Sequence, residues 1–148
     1  MLTITVDSGS VAAVLSKLRR RLDDLTPAMA SIGQELESRV SGRFETETDP
    51  FGQPWEPWAQ STIESYPADG NYRILDRYGD MLSSLNYRAT AASVRVGFGQ
   101  PYAAFHEWGT EYMPRRGLLM GDPDDGTLAP DDETAVLDIL STFLDPAA

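Results

Sequence analysis

The chain holds one histidine, His106, and an acid, Glu107, follows it directly. His-Glu on a helix is half of a zinc-hydrolase motif, in which a second His one turn later completes the ring ligands and the Glu activates water. No second His stands at that spacing or anywhere else. A zinc site wants three or four protein ligands, mostly His or Cys, and this chain has no Cys. Carboxylates complete such a set poorly, so a small metal-dependent hydrolase using His106 and Glu107 is the weaker alternative. A His packed between Phe105 and Trp108 is the simpler reading.

Other chemistry is sparser still. Asp122, Asp124 and Glu133 match positions one, three and twelve of a calcium loop, but Gly126 and Thr127 fall where the loop wants an acid or amide and then Gly. Gly97 and Gly99 follow a strand-like run, yet the third glycine of a dinucleotide fingerprint would fall at Tyr102. Neither a Gly-Lys-Ser/Thr loop nor a Gly-x-Ser-x-Gly elbow occurs. No catalytic residue, metal or cofactor is expected, and the chain reads as no enzyme.

The densest stretch runs from Phe98 to Leu119 and gathers the His, one of the three Trp, two Tyr and two Phe. Before it, Val94, Val96 and Phe98 alternate with small or charged residues, the period of a strand. Pro101 breaks that ladder because it has no N–H to donate. Tyr102, Phe105 and Trp108 then recur every three residues, which lines three aromatics along one side of a helical turn. Gly109 is a natural stop. With the Pro114-Arg115-Arg116 turn, this reads as a docking corner.

Elements that position it follow from periodicity. Leu2, Ile4 and Val6 suggest a first strand, and Ser8 or Ser10 a cap for the helix carrying Val11, Val14, Leu15, Leu18, Leu22 and Leu25. Lys17, Arg19, Arg20 and Arg21 occupy that helix's flanks and back, as a solvated face. Thr26 as N-cap and Pro27 at the first helical position open a second long helix, to about Phe44, with Met29, Ile32, Leu36, Val40 and Phe44 in one stripe. Between Asp49 and Trp58 stand three Pro and two Trp, so regular structure is unexpected there, and Trp55 and Trp58 pin the loop to the fold. Residues 60–66 form one or two helical turns, and 67–71 a turn.

Leu75, Tyr78, Leu82 and Leu85 predict another helix, with Gly79 inside it at a point of close packing. Asn86–Ala89 and Ser93–Phe98 predict an antiparallel hairpin. Leu118, Leu119 and Met120 predict one more strand, residues 121–130 an acidic loop, and Val136, Ile139, Leu140 and Phe143 a last helix beginning near Asp131 and Asp132. Acids at its start suit the helix dipole. The fold class is α+β: one domain, 1–148, with a small antiparallel sheet packed against two long N-terminal helices and a C-terminal helix.

Net charge is −11, from 23 acidic and 12 basic residues, which opposes affinity for nucleic-acid phosphates or anionic lipid. No apolar run approaches a membrane span, and the first residues lack the pattern of a signal peptide. Synthesis and folding in a cytoplasm is the expectation.

Three blocks in register carry a resemblance. The first is Asp49-Pro50-Phe51-Gly52-Gln53-Pro54-Trp55-Glu56-Pro57-Trp58 with Ser61-Thr62-Ile63. The second is Ile74-Leu75 with Gly79, Met81, Leu82 and Leu85. The third is Tyr102-Ala103-Ala104-Phe105-His106-Glu107-Trp108-Gly109 with Met113-Pro114-Arg115-Arg116. From Phe44 to Met120 the chain resembles the phage virion morphogenesis family, which includes Mu-like neck proteins and P2-like tail completion proteins. It departs at Tyr78, where the family often has Thr or Ser, and at Gly117-Leu118, where it tends to have Pro and an aromatic.

The resemblance implies a structural virion protein at the head–tail junction or the top of the tail, made in the host bacterial cytoplasm. It also implies a ring of copies, a hexamer or dodecamer, contacting portal or adaptor, tail-tube or sheath proteins. A tail-tube terminator is the related alternative. Protein-interface candidates are Trp55, Trp58, Tyr102, Phe105, His106, Trp108, Arg115 and Arg116. Asp122, Asp124, Asp125, Asp131 and Asp132 are candidates for an acidic lumen through which DNA passes passively, without sequence-specific binding. No membrane partner is expected.

Overall fold

The computed structural model describes residues 8–145, with side chains from Ala12 onward. The strand expected at Leu2, Ile4 and Val6 lies outside the described residues. Helices α1 (Ser8–Asp23) and α2 (Thr26–Thr46) are followed by α3 (Gln60–Ser65) and α4 (Asp80–Ser83). The hairpin β1 (Leu85–Ala89) and β2 (Val94–Phe98) precedes α5 (Ala103–Trp108) and α6 (Pro130–Leu144). The class is α+β.

Helix α2 is the spine. Its apolar stripe buries Ala28, Ile32, Val40 and Phe44, as the spacing of those residues requires. At its start Leu25 is the N-cap, one residue before the Thr26 expected there. The Asp24 carboxylate accepts the Thr26 N–H at 2.9 Å, and the Thr26 side chain first, then this backbone bond, draw the Asp24 carboxyl below its ordinary value. The hairpin lies across α2 with Leu85 opposite Phe98 and Ala89 opposite Val94. Gly33 makes that crossing possible: a Cβ there would stand 2.4 Å from the Tyr87 ring. On another side α2 meets α6, and the main contact of α1 is also α6.

The core joins Val40, Phe44, Trp55, Ile74, Met81, Ala103 and Leu118. Phe44 is its hub, edge-on to Trp55 at 5.5 Å and to Phe98 at 6.1 Å.

Two expectations fail here. The helix predicted through Leu75 and Tyr78 is absent; only α4 forms, after Gly79. Leu75 has φ 62° and Gly79 φ 81°, which no right-handed helix accommodates. Gly79 therefore supplies a left-handed turn rather than close packing, since a Cβ would meet only ordinary contacts at 3.8 Å. Nor do Leu118, Leu119 and Met120 pair as a strand. Their amides have another partner.

Candidate interaction site

That partner is Glu107. Helix α5 starts after the Pro101 turn and stops at Gly109, φ 74°, so it makes little more than one turn. One side faces inward and buries Ala103 and Glu107; the other carries Tyr102, Phe105 and Trp108, exposed by 40%, 57% and 49%. The spacing by threes does line up the aromatics, and they face solvent.

Beneath them, the Glu107 carboxylate accepts the backbone N–H groups of Leu118 at 2.8 Å, Leu119 at 3.0 Å and Met120 at 3.0 Å. A buried carboxylate is tolerated only when its lone pairs are filled in this way. Arg115 adds to the clamp. Its Nε donates to the Glu107 carbonyl at 2.7 Å, one Nη to the Met120 carbonyl at 2.8 Å, and that Nη lies 3.6 Å from the carboxylate. Glu107 was legible only as half of a metal motif. Nothing in its local spacing shows that its acceptors' partners lie eleven to thirteen residues on.

Arg116 also turns inward. It donates from Nε to the Glu56 carbonyl at 2.8 Å and from Nη2 to the Pro57 carbonyl at 2.9 Å, while its backbone N–H donates to the His106 carbonyl at 2.8 Å. Burial lowers its pKa from the ordinary arginine value. Trp55 is interior, its indole N–H donating to the Gly117 carbonyl at 2.9 Å. Trp55 and Arg116, named as interface candidates, are thus internal ties of the 49–58 loop, and Arg115 is spent largely within the 107–120 corner. Carbonyls without other donors attract the guanidinium groups inward. Trp58 is half-buried, stacked on Tyr66 at 4.4 Å.

Among the acidic candidates, Asp122, Asp124, Asp125 and Asp131 are exposed. Asp122 accepts the N–H groups of Asp124 and Asp125 at 2.9 and 3.2 Å, closing its own turn. Asp132 is not at the surface: it is 1% exposed, ion-paired with Arg43, and 3.7 Å from Arg39. Arg43 also donates to the Leu118 carbonyl at 2.7 Å, so α2, α6 and the corner are tied through one guanidinium.

His106 is half-buried, its ring edge-on to Tyr102 at 6.5 Å, and Nδ1 has no hydrogen-bond partner. Burial, and then the Arg116 charge, pull its pKa below 6.5. It lies on the wall of an open cleft of about 680 Å³, with Trp58, Tyr66, Tyr78, Tyr102 and Tyr112 among its lining. The Glu107 carboxylate points the opposite way, into its three amides. Among the described residues no three His, Cys, Asp or Glu side chains converge as a metal site. Among them also, no helix is long and apolar enough to cross a membrane.

A row of exposed aromatics on a rigid backing, with its charged neighbours consumed inside, has the make-up of a surface that grips other proteins. A family model for the phage virion morphogenesis family matches residues 6–145, nearly the whole chain, and the chain belongs to that structural, non-enzymatic family. Comparison with curated proteins and with solved structures gives no match.

Proposed function

We propose that this protein is a neck or tail completion protein, working at the head–tail junction or the upper end of the tail as a ring of copies. Membership of the family supports a role in virion assembly. The observation that carries the finer reading is the outward row Tyr102, Phe105 and Trp108 over the Glu107–Arg115 clamp. Held from behind, these rings lose little side-chain freedom on docking, which removes one of the costs of binding. Trp58 and the tyrosine-lined cleft extend the same face toward a portal, adaptor, tube or sheath protein. The exposed acids Asp122, Asp124, Asp125 and Asp131 would repel phosphates if they line the ring's channel, letting DNA slide without sticking.

The test is phage complementation with Phe105→Ala and Trp108→Ala combined. Expected is a folded protein that no longer yields infectious particles, with heads and tails accumulating unjoined in electron micrographs. Overlong tails would instead favour the tail-tube terminator. Normal particle yield would overturn the docking role of the row.

A further inference from the structure

Helix α1 presents a second surface, unlike the corner. Val14, Leu15 and Leu22 are 44%, 59% and 52% exposed, while Leu18 is half-buried. At 100° per residue these four fall within one arc, with Arg19 at one edge of it. The helix carries four basic residues against one acid, Asp23, whereas the rest of the chain has eight basic and twenty-two acidic residues. An amphipathic, cationic helix with its apolar arc in water is looking for an acidic apolar groove.

The molecule has one. Along the outer face of α2 a groove of about 520 Å³ is lined by Glu37, Ser41, Gly42 and Glu45, with Leu82 and Leu85 as its apolar wall. Neither Glu37 nor Glu45 joins any of the ion pairs among the described residues. Nothing stands within 4 Å of where a Gly42 Cβ would be, so the floor is open to an incoming side chain. Glu37 and Glu45 are eight residues apart on their helix, as are Val14 and Leu22 on theirs, about 12 Å in both cases.

We infer that α1 of one copy docks into the α2 groove of the next, its apolar arc against Leu82 and Leu85 and Arg19, at the edge of that arc, facing Glu37 and Glu45. Groove and helix are different surfaces of one chain, so the contact is head-to-tail, the kind that closes rings. This rests on the ring reading above and supplies its subunit interface. It leaves the aromatic row on α5 free for the neighbouring virion proteins.

The absence of native cysteine makes the test simple. Protein carrying Leu15→Cys or Leu22→Cys is mixed with protein carrying Ser41→Cys or Gly42→Cys, and oxidised. Expected is a disulfide-linked dimer in at least one mixture and none when Cys is placed at Leu137, an exposed position on α6. Light scattering provides the second arm. Arg19→Glu should weaken the oligomer, and adding Glu37→Arg with Glu45→Arg in the same chain should restore it. Rings that form without any of these cross-links, or that ignore the charge reversal, would overturn the interface and leave the ring standing. A chain that stays monomeric at the highest attainable concentration would sink both.

Discussion

The aromatic corner and the N-terminal helix both show apolar side chains to water, but they are built differently. Behind Tyr102, Phe105 and Trp108 the charged groups are bonded inward: Glu107 by three amides, Arg115 and Arg116 by four carbonyls between them. Behind Val14, Leu15 and Leu22 there is chiefly a seam with α6, where Arg21 donates to the Asp145 carbonyl. Rigid presentation suits recognition of a preformed partner, because little side-chain or backbone freedom remains to be lost. A lightly seated helix suits a contact between copies, whose burial completes its packing. Burying apolar area stabilises by roughly 25 cal/mol per Å², and α1 leaves much of its share unburied in the single chain.

The contrast is broken most forcefully from below the corner. Replacing Arg43 with Ala leaves the buried Asp132 with only the more distant Arg39, 3.7 Å away, and should cost about 3–5 kcal/mol, read as a fall in urea midpoint. Arg43→Met with Asp132→Leu should recover most of it, since a buried pair can be exchanged for apolar packing. Next comes Glu107→Ala, which strands three backbone amides and should cost about 3 kcal/mol. Its thermal transition should drop by roughly 10 °C. An unchanged transition would mean the clamp is not what holds the row in place.

His106 gives a smaller, pH-dependent effect. Its folded pKa lies below 6.5, so as pH drops through that value the unfolded chain takes up a proton that the folded chain resists. Stability should therefore rise with pH through this region and decline on the acid side of 6.5, until folded His106 protonates too. His106→Gln should flatten that part of the profile between pH 7.5 and 5.5 in urea titrations. The smallest effects belong to the exposed groups. Leu15→Ser and Trp108→Ser should each change monomer stability by less than about 0.5 kcal/mol, while Leu15→Ser weakens self-association and Trp108→Ser weakens docking. If either substitution destabilised the fold as much as Glu107→Ala, the two surfaces would be core faces and the comparison would collapse.

Much of the scaffold was legible from residue order. The hairpin, α2, the short α5 and α6 all follow from alternation or three-and-four spacing, which are local properties that each segment carries with it. The aromatic row was legible for the same reason. Segment 74–79 was not, because left-handed Leu75 and Gly79 override an apolar spacing that looks helical. The supposed strand at Leu118 to Met120 was misread because its amides bond to a side chain rather than to a neighbouring strand.

Residue types and periods alone settle that the chain is acidic and where α2, the hairpin, α5 and α6 form. Which charges meet is another matter. Asp132 and Arg43 are 89 residues apart, and Trp55 and Gly117 are 62 apart, so no local pattern can tell that these groups face inward while Trp108 faces out. Only the folded chain decides that, because a polar side chain's direction is set by whichever unsatisfied partner tertiary packing brings within reach.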